Sequence, residues 1–156
     1  MIIPSIVPAT IDKLVALSLA TLGTLGVNVS DSDPIAMDVG DWLCIGVEDP
    51  EGPTPHHTAD SSQEWSGATR ALGLDETAFI TCSAIAWSGD DDVKTVRDRA
   101  YAILAGLTAL IREDPRLGIP GVVRIVVAST DLTQGVAAEG GTFARLVFRL
   151  AVKARL

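Results

Sequence analysis

The clearest pattern of hydrophobic and polar positions lies at the C-terminal end of the chain, in residues 143–156. Apolar residues occupy every second position there, and the positions between them carry most of the charge. A period of two is typical of a β-strand with one side toward the core and the other toward water. The apolar side consists of Ala144, Leu146, Phe148, Leu150, Val152, Ala154 and Leu156. Because a single strand does not repay the entropy of ordering it, we expect it to complete a larger sheet.

The other side of this strand is basic. It carries Arg145, Arg149, Lys153 and Arg155. Desolvating an unpaired charge is costly, so these side chains must stay in water or meet carboxylates. The strand alone leaves two interpretations open: a solvated edge that resists aggregation, or a contact surface for an acidic partner.

Two stretches repeat apolar residues every three or four positions, which predicts helices. The first covers residues 8–25, with Thr10 as its N-cap and Asp12 in its first turn. The second covers residues 92–112 and is capped by Asp90 or Asp91. Its core-facing stripe consists of Val93, Val96, Ala100, Ile103, Leu107, Leu110 and Ile111.

Shorter apolar runs between turn-forming residues predict the remaining strands. They lie at residues 27–29, 41–47, 64–69, 78–88 and 122–129. Residues 131–141 predict a flexible connection, so that residues 122–129 and 143–156 form a hairpin. The order of the elements predicts an α+β fold, with a mainly antiparallel mixed sheet of about five to six strands and two helices packed on one face.

Residues 48–63 form the longest stretch without apolar periodicity. Pro50, Pro53 and Pro55 predict a stiff, extended loop, and loops of this length are usually functional or mobile. His56 and His57 are adjacent in this loop, so their side chains point apart. We therefore expect exposed loop histidines and no metal site, because a third ligand at suitable spacing is missing.

The composition fits one globular domain covering residues 1–156. The chain is 47% hydrophobic and 21% charged, with a net charge of −8 and only 4% aromatic residues. An acidic chain poor in aromatics is a poor nucleic-acid binder. Cys44 and Cys82 lie in apolar runs and are expected to be buried free thiols. We expect a soluble cytoplasmic product, since no basic leader or bilayer-length apolar run occurs.

No motif for a catalytic nucleophile, a phosphate-binding loop or a zinc helix occurs in the sequence. Turn and capping chemistry accounts for the carboxylates near residues 31–33, 48–51 and 90–92. The sequence therefore predicts no catalytic residue, no cofactor and no metal, and we expect that the protein is not an enzyme. A small ligand-binding or enzymatic α+β domain remains an alternative.

Four segments resemble the tail-terminator (tail-completion) and head–tail connector proteins of long-tailed bacteriophages. They are DWLCIGVEDPEG (residues 41–52), SSQEWSGAT (61–69), TCSAIAWSGDDDVKTVRDRAYAIL (81–104) and RLVFRLAVKARL (145–156). The order and character of these segments carry the resemblance, which covers most of the chain. One departure is SDSDP (residues 30–34), which fills the place of an aromatic or Gly-Pro turn in some of these proteins.

The resemblance implies a structural protein of the virion, assembled in the host cytoplasm, without catalysis or cofactor. Such subunits form a homo-oligomeric ring, typically a hexamer, that ends the tail tube and joins it to the head or neck. The implied partners are other copies of the chain, the tail tube protein and the head or neck connector. DNA passes through the lumen without being gripped, which suits an acidic chain. A head-closure or neck adaptor protein is the alternative within this class.

Interface residues follow from this implied assembly. On the basic strand, Arg145, Arg149, Lys153 and Arg155 are candidates for pairing with a neighbouring subunit or an acidic tube rim. In the long loop, Pro53, His56 and His57 are candidates for reaching a neighbour. Charge reversal of Arg149 is then expected to impair assembly with little effect on the melting temperature.

Overall fold

The computed structural model describes residues 3–38, 40–66 and 73–156. Over these residues the chain has two α-helices and a six-stranded, mostly antiparallel sheet, which confirms the predicted α+β fold. The helices are α1 (Val7–Thr21), which continues into a 3₁₀ helix (Leu22–Leu25), and α2 (Val93–Glu113). The strands are β1 (Asn28–Asp31), β2 (Asp41–Ile45), β3 (Ala59–Trp65), β4 (Leu74–Ser88), β5 (Val122–Val136) and β6 (Thr142–Arg155).

The C-terminal strand β6 lies inside the sheet. The strand order is β1-β2-β4-β6-β5, and β3 pairs with the first half of β4. β6 runs antiparallel to β4 on one side and to β5 on the other. The predicted hairpin of the last two strands is thus confirmed. β6 is not an edge strand, because it has a hydrogen-bonded neighbour on each side. Whether its basic face is solvated or forms an interface stays a prediction.

The core lies between the sheet and the helices. Leu146, Phe148, Leu150 and Val152 of β6 are fully buried, as their alternation predicts. Burying each such side chain contributes about 1.5–3 kcal/mol. The same core contains Leu14 of α1 and the buried stripe of α2. That stripe consists of Val96, Ala100, Ile103, Leu104, Leu107 and Ile111.

The N-terminal ends of both helices differ from the prediction. α1 begins at Val7, and Thr10 lies inside it, where its hydroxyl donates to the carbonyl of Ile6 at 2.9 Å. The prediction of Thr10 as N-cap is therefore wrong. α2 is capped by Asp92, whose carboxylate accepts from the Thr95 N–H at 3.2 Å. Hydrogen bonds from Thr95 lower the pKa of the Asp92 carboxyl.

Two predicted loops contain β-strand. β5 continues to Val136, so the flexible connection predicted for residues 131–141 shrinks to a turn at residues 137–141. β3 begins at Ala59, so the irregular loop predicted for residues 48–63 ends near residue 58. The strand predicted at residues 64–69 overlaps only the end of β3, and residues 67–69 lie outside the described residues. β4 begins at Leu74 rather than residue 78.

Residues 46–58, named here the loop strap, leave the sheet and return to it at the same place. Both ends of the strap form a hydrogen bond with the backbone of Thr81 on β4. The Gly46 N–H donates to the Thr81 carbonyl at 2.8 Å, and the Thr81 N–H donates to the Thr58 carbonyl at 3.0 Å. β2 and β3 therefore run almost as one strand along β4, interrupted by the strap. Gly46 has φ of +87°, and a Cβ on it would lie 2.8 Å from the Thr58 Cγ2. Glycine is required where the strap begins.

Candidate interaction surfaces

The side of the sheet opposite the helices is named here the open face. It presents the second set of β6 side chains together with their partners on β4 and β5. The loop strap lies over part of it, so that the side chains of Ile85 and Ser83 beneath are almost fully buried. All four basic residues predicted as candidates on the last strand lie on this face.

Three of these basic residues pair with carboxylates of the same chain. Arg145 Nη1 lies 2.9 Å from Asp49 Oδ2 of the loop strap. Arg155 Nε donates to Asp75 Oδ1 at 3.0 Å, and this contact raises the pKa of Arg155. Exposed pairs of this kind add little to the stability of a fold. The pair of Arg145 with Asp49 mainly holds the loop strap against the sheet.

Arg149 makes the densest set of contacts on the open face. Its Nη2 donates to Asp60 Oδ2 at 2.6 Å, and its guanidinium carbon lies 4.8 Å from the ring centroid of Phe79. The same Asp60 oxygen lies 3.3 Å from His57 Nε2. Arg149 therefore connects β6 to β3 within one subunit. Its predicted role between subunits stays a prediction, and the intramolecular contacts were not visible in the sequence.

Lys153 is the most available of the four cations. It is exposed, and over the described residues it forms no ion pair. Arg124 of β5 lies directly opposite it in the register and is also exposed. Like charges facing each other across two strands repel, so this pair suits contact with a carboxylate of another molecule.

The two loop histidines occupy different environments. The His56 side chain is 9% exposed, so the expectation that it is solvent-exposed is wrong. Its Nε2 lies 2.8 Å from Asp33 Oδ1, within ion-pair distance although no hydrogen bond forms at that geometry. The His57 side chain is 66% exposed, as expected. Pro53 is exposed in the strap. Of the three residues, His57 lies next to the basic strand, because it shares the Asp60 carboxylate with Arg149.

Both cysteines are buried free thiols, which confirms the prediction. Cys44 pairs in register with Ser83, on the open-face side beneath the strap, whereas Cys82 pairs with Ile45 on the core side. Burial raises the pKa of Cys44 and of Cys82 to about 12. A thiol held protonated in this way is a poor nucleophile or metal ligand at neutral pH.

A cleft of about 440 Å³ opens at the end of the open face where β4 ends and β6 begins. We name it the acidic cleft. Its apolar wall contains Ile85, Trp87 and Phe143, and its charged residues are Asp49, Glu51, Glu139 and Arg145. The sequence did not indicate this cleft, because its walls come from five separate segments that only the fold brings together.

The outer side of β5 is the second surface that sequence reasoning missed. No strand of the described chain pairs with that side. The Ala137 N–H donates to the Gly141 carbonyl at 3.0 Å. This bond shows that Ala137, and every second residue before it in this part of β5, directs its backbone groups toward β6. In an antiparallel pair alternate residues bond outward. The N–H groups of Thr130, Leu132 and Gln134 therefore point away from β6. We name residues 128–136 the free edge.

Comparison with known proteins gives no assignment, since no protein-family model and no curated protein sequence matches the chain significantly. Among the described residues, no group of three or more His, Cys, Asp or Glu side chains is placed to hold a metal ion. Within the same residues, neither helix combines the length and apolarity that a membrane crossing requires.

Proposed function

We propose that this protein is a structural subunit of a phage or prophage tail. It forms a homo-oligomeric ring, hexameric by analogy, that ends the tail tube and joins it to the head or neck. It acts by subunit contacts and performs no catalysis. The proposal is supported by the resemblance of four segments to tail-terminator and connector proteins. The structural observation that carries it is the free edge of β5.

The free edge has the properties of a strand-pairing surface. Residues 128–136 contain a single charged residue, Asp131, and no proline. Most of their side chains are exposed, including Val136 at 72%. Monomeric proteins usually block such edges with lysine, proline or a covering loop, because an unblocked edge recruits another strand. Two β-bulges interrupt the pairing of β5 with β6, but only one borders the free edge.

A ring also needs a second, different surface on each subunit, because head-to-tail contacts join unlike patches. β3 supplies such a second surface, on the side of the sheet away from β5. Within the described chain it pairs only with β4, and all of its residues after Ala59 are exposed. Pairing of the free edge with β3 of the next subunit would extend one sheet around a closed ring. Backbone hydrogen bonds would supply most of the specificity for an extended strand in such a contact.

The free-edge proposal is tested with two variants at Thr130, whose N–H points outward. Thr130→Pro removes that donor without removing a bond to β6, whereas Thr130→Val keeps the donor and a similar volume. We expect Thr130→Val to assemble like the wild type and Thr130→Pro to lose assembly. Light scattering after size exclusion and electron microscopy measure assembly, and circular dichroism checks the fold. Unchanged assembly of a folded Thr130→Pro variant would exclude the free edge.

The place in the virion is tested with the tube protein of the same phage. Purified protein added during tube polymerisation should bind tube ends and shorten the tubes, as measured by electron microscopy. Binding to DNA-filled heads without binding to tubes would instead identify the head-closure or neck adaptor. Binding to neither would overturn the tail proposal. Since rings of this class can wait for a template, the tube assay decides even where the free protein is monomeric.

The acidic character of the chain supports a subunit that surrounds DNA without holding it. With a net charge of −8, the protein repels phosphates on average. The assembled ring is therefore expected to leave duplex DNA unretarded in a mobility-shift gel at physiological salt. Tight binding there would contradict a passive lumen.

A further inference from the structure

We propose that the acidic cleft binds a basic side chain, above all an arginine, carried by an apolar segment of a partner protein. The proposal depends on the proposed function only for the identity of the partner. The chemistry of the cleft stands on its own residues.

The shape of the cleft suits one long side chain. Its volume of about 440 Å³ lies within the range of clefts that bind a small molecule, which leaves room for one long side chain. Trp87 and Phe143 pair with each other in the register between β4 and β6, so the two rings stand side by side in the wall. Aromatic faces attract cations, and a guanidinium can also stack on them.

The charge of the cleft selects a cation. Its lining contains three carboxylates, Asp49, Glu51 and Glu139, against one guanidinium, Arg145. The Asp49 carboxylate already lies 2.9 Å from Arg145 and neutralises it. Glu51 and Glu139 thus remain as net negative charge at the rim. An anionic ligand would meet repulsion there, whereas a basic side chain would meet attraction strengthened by the nearby apolar wall.

The acidic residues are held in place by the backbone. Asp49 Oδ1 accepts from the Glu51 N–H at 3.1 Å, and the Asp49 carbonyl accepts from the Gly52 N–H at 2.9 Å. The pair with Arg145 attaches this turn to β6. Glu139 lies in the turn between β5 and β6, which is closed by the bond from the Gly140 N–H to the Ala137 carbonyl at 3.0 Å. Glu51 and Glu139 therefore both lie in turns that are closed by backbone hydrogen bonds.

The test uses two short peptides with the sequence Gly-Val-X-Val-Gly, blocked at both ends, in which X is arginine or citrulline. Citrulline has nearly the shape of arginine without its charge. We expect calorimetry at low salt to show the arginine peptide binding at least about fivefold tighter, with an advantage that shrinks as salt is added. In a variant with Trp42→Phe and Trp65→Phe, the fluorescence of Trp87 should change on binding.

Matched variants locate the binding site. Glu51→Gln with Glu139→Gln should remove the preference for arginine. Asp12→Asn with Glu113→Gln changes the net charge equally on the helical side of the sheet and should keep that preference. Equal binding of both peptides, equal loss in both double variants, or no binding at millimolar peptide would overturn the proposal. Tube binding by the wild type is scored separately, so a failure of the cleft does not count as a failure of the tail proposal.

Discussion

At the scale of single residues, Gly141 determines how closely the turn between β5 and β6 packs on the end of β4. Its φ is +78°, and a Cβ there would lie 2.3 Å from the Ser88 carbonyl oxygen. The turn between β5 and β6 therefore packs directly against the end of β4. Gly140 beside it also has a positive φ, of +92°, but its Cβ would meet nothing within 4 Å. The sequence predicts a turn at both glycines and cannot tell which one is in close contact.

We expect Gly140→Ala and Gly141→Ala to differ in free energy of unfolding. The positive φ costs each alanine about 1–2 kcal/mol. At Gly141 the clash with Ser88 forces a backbone shift, which adds about 1–3 kcal/mol as in an overpacked core. Urea denaturation monitored by circular dichroism measures both values. Similar losses in the two variants would mean that the turn does not pack closely on β4.

Three of the four basic residues of β6 pair with carboxylates that lie far away in the sequence. Their alternation was predicted, whereas their partners were not. Arg149 and Asp60 are 89 positions apart, and Arg155 and Asp75 are 80 apart. Charge reversal of Arg149 would therefore break a contact within the subunit as well as any contact between subunits. Lys153→Glu is the cleaner variant for testing the basic strand as an interface, because Lys153 has no such pair in the described chain.

At the scale of elements, α1 depends on a residue of the sheet for its N-terminal cap. Glu76 of β4 is 1% exposed. Its Oε2 accepts from the Ile6 N–H at 2.7 Å, and its Oε1 accepts from the Ser5 hydroxyl at 2.6 Å. A carboxylate at this position satisfies a free N–H and favours the positive end of the helix dipole. The sequence predicted a local cap at Thr10, because capping by a distant strand leaves no pattern in the chain.

Glu76→Gln is expected to lower the free energy of unfolding by about 2 kcal/mol. The amide keeps one acceptor but loses the charge and places an NH₂ donor among other donors. Glu64→Gln, on exposed β3, is the matched control and should change stability by less than about 0.5 kcal/mol. Thermal and urea unfolding of the two variants measure the difference. A Glu76→Gln variant as stable as the control would show that the cap contributes little.

The elements that the sequence missed are the exposed ones. β3 reads ADSSQEW, and the second half of β5 reads STDLTQGV. Strand patterns in sequence arise from alternate burial, and most side chains of these segments are exposed. Pairing with β4 and β6 makes them strands, since their backbone groups complete an existing ladder. β6 and α2, each with one fully buried side, were predicted nearly to their ends.

At the scale of the whole molecule, the two buried thiols predict how stability depends on pH. Burial raises the pKa of Cys44 and Cys82 from the ordinary value of 9.0 to about 12. Above pH 9 the unfolded chain releases thiol protons that the folded chain retains, so the folded state loses relative stability as pH rises toward 12. This contribution is fully present below pH 9. At about pH 10 the loss amounts to about 1 kcal/mol for each thiol.

Urea unfolding at about pH 8 and pH 10 measures this loss, with Cys44→Ala plus Cys82→Ala as the comparison. Both proteins share every other titrating group, so the wild type should lose about 2–3 kcal/mol more than the variant between the two pH values. A thiol reagent should label the native wild type only slowly. An equal loss in both proteins would mean that the thiols ionise freely in the folded state.

The sequence by itself determined the α+β class, the terminal hairpin, the core sides of β6 and α2 and the buried state of both cysteines. These features follow from local periodicity and hydrophobicity, which depend on neighbouring residues alone. Only the tertiary structure decided that β6 is an inner strand and that its arginines pair with Asp49, Asp60 and Asp75. It likewise decided that β5 has a free edge and that five segments line the acidic cleft. Each of these features brings together residues that are far apart in the chain. The local sequence pattern depends on neighbouring residues and so does not indicate which distant residues come into contact.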